Sequence, residues 1–273
     1  MTEPALPAIG AAMPIALLPV YRDWLIEADR DLEIQDFFRI DALEDWSGLA
    51  AEAKRQLDGW RGRLGIHGPF WGFTIASHDA DVRALVTRRM LKGLEVCEGL
   101  GATQMVIHSP YTTWDFNNLD YTPGARDAVV ERAHQTLGAV VKRAEETGVT
   151  LVIENIEDKD PRDRLALARS FDSPAVKVSL DTGHAFYAQV STGGAAVDYH
   201  VAVAGEMLDH VHVQDADGHA DRHWAPGEGT IPWRAVFTAL ARLETKPRLV
   251  LELRDNSRIP AGAAHLVGLG LVR

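Results

Sequence analysis

The sequence predicts an α/β protein, a single (β/α)8 TIM barrel spanning residues 1–273 with its active site at the C-terminal face of the strands. Three observations lead there. Short apolar runs alternate from end to end with longer amphipathic ones, the order of repeated βα units. Eight such runs recur about every 25–45 residues, the length of one strand, one helix and two loops, and 273 residues is near the ~250 of a closed eightfold barrel. Acidic and His side chains sit at or just past the ends of these runs, where a barrel gathers its chemistry.

In chain order the predicted strands are IGAAMPI (9–15), LEIQDF (32–37), RLGIHG (63–68), QMVIHS (104–109), TLVIEN (150–155), VKVSLD (176–181), DHVHVQ (209–214) and RLVLEL (248–253). Between them DVRALVTRRMLKGLEVCEGLG, GARDAVVERAHQTLGAVVKRAEETG and IPWRAVFTALARLE place apolar residues three and four apart and predict helices. Gly101 and Gly148 stop two of these just before a strand, as short αβ loops require. No linker or composition break divides the chain. No G-x-G-x-x-G or Walker-type loop follows a strand, which favours the closed barrel over an open doubly wound sheet. Two loops, 109–124 and 214–231, follow strands and so belong to the C-terminal face. GEGTIPW (227–233) reads as a glycine turn entering a helix with Pro232 in its first turn, holding the second loop in place.

Composition narrows the partners. An apolar fraction of 46% with 25% charged residues is ordinary for a soluble domain, and 28 Lys+Arg against 39 Asp+Glu, a net charge of -11, opposes non-specific attraction to nucleic acid. Cys97 is alone, cannot make an internal disulfide, and reads as a small buried residue in a reducing compartment. The stretch through Val20 has Glu3, Pro4, Pro7, Pro14 and Pro19 and no basic residue before Arg22, unlike a signal peptide. With no apolar run of about 20 residues either, the expectation is a cytoplasmic protein without membrane contact.

The chemistry lies in the strand ends. Glu154 closes LVIEN, Asp181 closes VKVSLD, His212 closes DHVH and Glu252 closes RLVLEL. An ionised carboxylate there is costly unless it is paired, hydrogen-bonded or bound to a cation, and a shared metal satisfies all four groups together. Three carboxylates and one imidazole form a mainly oxygen site suited to Mn, Mg or Co, with Zn also accommodated. His67, His108, His184, Asp221 and His223 project to the same end as further metal ligands or substrate contacts. The other six His, at 78, 134, 200, 210, 219 and 265, read as structural or solvated, with His210 deeper in the barrel on the strand face of His212.

HGPF (67–70), IHSP (107–110), IENI (153–156), SLDTGHAF (179–186), HVHVQD (210–215), DRHWAPGEG (221–229) and LVLEL (249–253) together resemble the xylose isomerase-like TIM-barrel superfamily over about residues 32–256. That group includes sugar isomerases and epimerases and the endonuclease IV type of apurinic DNA repair enzyme. In the first branch, the resemblance implies one divalent metal on Glu154, Asp181, His212 and Glu252. It further implies proton exchange by Glu154 and Glu252 on opposite faces of a keto-sugar, through an enediolate, with His184 touching a substrate oxygen. In the second it implies three zinc ions on all nine residues and in-line attack on a phosphoester.

The acidic balance and the lack of a basic run favour a small sugar-like substrate over DNA. The expected activity is therefore a divalent-metal-dependent sugar or keto-sugar isomerase or epimerase. The alternatives are a multinuclear zinc phosphoesterase and a metal-dependent keto-sugar or keto-inositol lyase or dehydratase. One Mn, Co or Mg per chain goes with the first, two or three Zn or Fe with the phosphoesterase. Gly218 stands where the epimerase branch often has a substrate-binding Arg, so Arg222 or Arg254 is read as its replacement. Trp71, Tyr111, Trp114 and Trp224, with Phe70, Phe73 and Phe186, either stack on a sugar ring or anchor loops. Assembly into a homo-oligomer is left open.

Overall fold

Eight parallel strands close into one barrel in chain order: β1 (Gly10–Met13), β2 (Leu32–Ile34), β3 (Leu64–His67), β4 (Gln104–His108), β5 (Thr150–Glu154), β6 (Val176–Asp181), β7 (Leu208–Val213) and β8 (Arg248–Glu252). This is a computed structural model describing residues 6–273, so Glu3 and Pro4 of the N-terminal reading lie outside the described residues. All eight predicted strands are present, most of them shorter than their apolar runs. β1 ends at Met13 because Pro14 has no N–H for the ladder and a 3-10 turn, Ile15–Leu17, follows. β2 stops after three residues, where Gln35 enters the turn Asp36–Phe38.

Helices cover the barrel. The two longest, Ala80–Leu100 and Ala125–Thr147, end at Gly101 (φ 77°) and Gly148 (φ 70°), both left-handed caps as the sequence predicts. Leu94, Val96 and Cys97 of the first and Ala133, Leu137 and Val140 of the second are fully buried. Among the described residues no helix is long and apolar enough to cross a membrane.

Register brings the strand-end residues side by side. His108 pairs with Glu154 across β4 and β5, and Asp181 with His212 across β6 and β7. The second match depends on a register shift between Val178 and Ser179, which advances β7 by one residue. Without it His212 and Asp181 would fall out of step on the rim.

The loops after β4 and β7 are more structured than expected. The first holds a short helix, Thr113–Asn118, whose Thr112 hydroxyl accepts from the Asp115 amide. The second is tied down by Asp215, which is buried and accepts from the amides of Ala216, Gly227 and Ile231 and from the Trp233 indole. Pro232 stands at the N-cap position of the following helix, Trp233–Leu240, one residue ahead of the first turn in which the sequence places it.

Candidate metal centre at the C-terminal rim

Glu154, Asp181, His212 and Glu252 meet at the ends of β5 to β8, each offering one donor atom within 4.8 Å of the others. His212 Nδ1 is 2.8 Å from Glu154 Oε1 and 3.4 Å from Glu252 Oε2. Glu154 Oε2 and Asp181 Oδ2 are buried with no hydrogen-bond partner. A buried carboxylate oxygen without a donor is destabilising unless a cation meets it, so this donor set fits a divalent metal.

Neighbours fix the orientation of these candidate ligands. Asp181 Oδ1 caps the helix Thr182–Thr192 by accepting from the His184 amide at 2.7 Å, which leaves Oδ2 for the site. The Asn155 side chain bonds both backbone groups of Asp181, donating to its carbonyl at 3.0 Å and accepting from its amide at 2.8 Å. Gln35 Nε2 donates to Glu252 Oε1 at 2.6 Å. Gln214 Nε2 reaches Asp181 Oδ1 and Asp221 Oδ1, while its Oε1 accepts from the His223 amide. That last bond holds His223 at φ 49°, a left-handed conformation unusual outside glycine.

Two further ligand groups flank the first. His67, His108 and Glu154 form one, and His184, Asp221 and His223 the other. His67 Nδ1 donates to the Gly68 carbonyl, His184 Nδ1 to that of Asn155 and His223 Nδ1 to that of Glu252, at 2.9, 3.0 and 3.1 Å. With Nδ1–H fixed on a carbonyl, Nε2 is the atom of each ring that a cation would meet, in place of a proton. His184 Nε2 and His223 Nε2 both face Asp221, at 3.4 and 3.0 Å.

Electrostatics agree with a cation site. Burial alone would raise the Glu154 carboxyl, but the His212, His67 and His108 imidazoles outweigh it and hold the group well below the usual range. Burial opposes charge on His212, yet Glu252, Glu33 and Glu154 raise it well above an ordinary imidazole. His223 is likewise carried up to about 9, against burial, by Glu252, Asp221 and Asp181. His108, where burial dominates, is lowered to about 3. The field at the centre favours positive charge.

The sequence model described as the xylose isomerase-like TIM barrel matches residues 28–269. The chain belongs to that family. Among curated relatives of this xylose isomerase-like protein is the uncharacterized protein ML2432 of Mycobacterium leprae, 28% identical over 189 residues, which are 62% of each chain. The chain thus aligns with a little under two thirds of that relative. Among solved structures, the TTHB071 protein from Thermus thermophilus, soaked with ZnCl2, is 26% identical with a TM-score of 0.71, over 96% of this chain and 98% of that one. The 3-keto-D-glucoside 4-epimerase YcjR from E. coli, in apo form, is 18% identical with a TM-score of 0.70 over 97% and 99%, a likeness of fold.

In this xylose isomerase-like barrel the centre opens into a cleft of ≈ 400 Å³ lined by Gln35, Phe38, His67, Phe70, His108, Glu154, Ile156, His184, Asp221, His223 and Glu252. No Lys or Arg is among them. A side cleft of ≈ 260 Å³ shares Phe70, His108 and Ile156 with it and continues past Phe73 and Tyr111 toward Glu157. The other residues singled out in the sequence lie farther out. Trp71 is 58% exposed at the rim, edge-on to Phe38, and Trp114 is 75% exposed on its short helix. Arg222 is paired with Asp217 at 2.8 Å and stacked over Trp224, and Arg254 donates to the Asp221 carbonyl.

Sequence reasoning missed Glu33, Gln35, Asn155 and Gln214, which hold the ligands in place. Glu33 carried a weaker signal than Glu154, a carboxylate inside a short buried strand and not at its end. The amides carried none, because neutral polar side chains at strand ends are common. His210, read as structural, lies against Glu33 at 3.2 Å directly below His212.

Proposed function

We propose that this protein is a divalent-metal-dependent isomerase or epimerase acting on a sugar or keto-sugar. The observation that carries the reading is the pair Glu154 and Glu252, both at His212 Nδ1, in a cleft lined by neither Lys nor Arg. A cation on Glu154, Asp181, His212 and Glu252 would polarise a carbonyl and the neighbouring hydroxyl, acidifying the C–H between them. One glutamate then removes that proton and the other returns one to the opposite face or the adjacent carbon. Gln35 steers Glu252 by its hydrogen bond, and Phe38 and Phe70 shield the cleft from water. The absence of Lys and Arg from the lining favours a neutral polyol over a phosphate ester. The fold-level likeness to YcjR, whose name records a keto-sugar epimerase, supports the same class.

A second reading has one specific observation behind it. The inward-facing Nε2 positions of His67, His184 and His223 complete two further candidate ligand groups, a layout suited to multinuclear phosphoester hydrolysis. One experiment separates the two. Metal per chain is measured on protein purified without chelator, and that protein is incubated with keto-sugars in D2O. One metal with deuterium entering the carbon next to the carbonyl supports the isomerase. Two or three metals, no deuterium uptake and release of phosphate from phosphoesters would replace it with the hydrolase.

A further inference from the structure

We infer that Glu33 is a positioning residue that decides which nitrogen His212 turns toward the metal. This rests on the reading that Glu154, Asp181, His212 and Glu252 hold one. Glu33 lies on β2, on the far side of the barrel from β7, with its side chain 3% exposed. Both its oxygens are 3.1 Å from His212 Nε2, and Oε2 is 3.2 Å from His210 Nε2. His210 Nδ1 is in turn 2.8 Å from Ser179 Oγ. Ser179, His210, Glu33 and His212 thus form a row of neighbouring buried polar groups beneath the four ligands.

The rule for the other imidazoles makes the difference plain. His67, His184 and His223 place Nδ1–H on a backbone carbonyl and present Nε2. His212 is reversed: Nε2 meets a carboxylate and Nδ1 faces Glu154 and Glu252. An imidazole offers a lone pair at one nitrogen when the other keeps its proton. Glu33 keeps that proton at Nε2 by a charge-assisted hydrogen bond, roughly twice as strong as a neutral one. It also increases the basicity of the ligating nitrogen, the effect expected of a carboxylate behind a metal-bound His.

The test is a double-mutant cycle read by binding. Co2+ affinity is measured by competition with a coloured chelator on the full-length protein, its Glu33→Gln and His212→Ala variants, and the double variant. Circular dichroism of the metal-free proteins reports the fold. Glu33→Gln is expected to weaken one equivalent of Co2+ about 10- to 100-fold, and to change nothing further once His212 is Ala. An effect within twofold, or the same loss in the His212→Ala background, overturns the inference. Should Glu33→Gln fail to fold, nitrogen NMR of the zinc-loaded unsubstituted protein decides: His212 with Nδ1 on zinc and a proton on Nε2 supports the assignment, and zinc on Nε2 overturns it. An unsubstituted protein that binds neither metal would sink this inference and the proposed function together, whereas normal binding with a silent Glu33→Gln sinks only the former.

Discussion

His212 Nδ1 stands 2.8 Å from Glu154 Oε1, an imidazole and a carboxylate in direct contact at the C-terminal rim of a closed barrel. The two sit on strands separated by β6, whose Asp181 completes the ring between them. On the proposed reading Glu154 would serve both as part of the ligand set and as one of the two groups that move a proton.

Replacing Glu154 or Glu252 by Gln keeps the shape and removes the base. Each substitution is expected to lower deuterium exchange into a keto-sugar substrate by about 10²–10⁴-fold, the usual worth of a positioned acid or base. Circular dichroism should match the parent. Turnover within tenfold of the parent in both variants would refute the assignment.

Binding to the folded state stabilises it by mass action. At a free metal concentration 100 times Kd the gain is about 2.7 kcal/mol, which in a chain of this size moves the melting midpoint by roughly 5–10 °C. Calorimetry with and without chelator measures this. The expected result is a lower midpoint after chelation, restored by Mn2+, Co2+ or Zn2+.

Acid stability has a contributor away from the centre. His200 is fully buried, and that burial, helped by the Arg164 guanidinium, lowers it to about 3. Between that value and the ~6.5 of an unfolded His, the unfolded chain binds a proton that the folded one refuses. Its contribution is complete above about pH 6.5 and is lost as pH falls, by up to about 1.4 kcal/mol per pH unit. Urea melts from pH 6.5 to 4 should show a shallower decline for His200→Gln than for the parent.

Gly183 is one of the positions where a side chain has no room. A Cβ there would meet Gln214 Cδ and Oε1 at 2.2 Å, and Gln214 is the residue holding Asp181, Asp221 and the His223 amide. Gly183→Ala is expected to destabilise the protein by about 1–3 kcal/mol, as overpacking does, and to lower metal content. Thermal melts and elemental mass spectrometry read the two effects separately.

Cys97 has no exposed surface, and burial pushes its thiol well above the ordinary range. A thiol reagent is expected to leave it untouched in the native protein and to modify one group per chain in guanidinium chloride. Fast labelling under native conditions would contradict its place in the core.

The barrel was legible in the sequence because parallel strands covered on both faces read as near-continuous apolar runs. Charged ends on such runs were legible for the same reason, which is how Glu154, Asp181, His212 and Glu252 stood out. Glu33 escaped because LEI is a short strand and its partner His212 lies on β7, 179 positions later. Gln214 escaped because an amide between two aspartates gives no sign of itself until the loop after β7 folds back. The register shift at Val178 and Ser179 has no sequence signature at all, yet it sets Asp181 against His212.

The strand order also divides the labour of the ring. Glu154, Asp181, His212 and Glu252 all come from the second half of the barrel, whereas Glu33, Gln35, His67 and His108 come from the first. The later half carries the four candidate donors of the first group, and the earlier half faces them with Glu33 and Gln35, which contact His212 and Glu252, and with His67 and His108. A half-barrel of β5 to β8 would possess all four side chains and still lack the hydrogen-bond partners that Glu33 and Gln35 give to His212 and Glu252. Closing the first half over the second gives that set of side chains a defined direction.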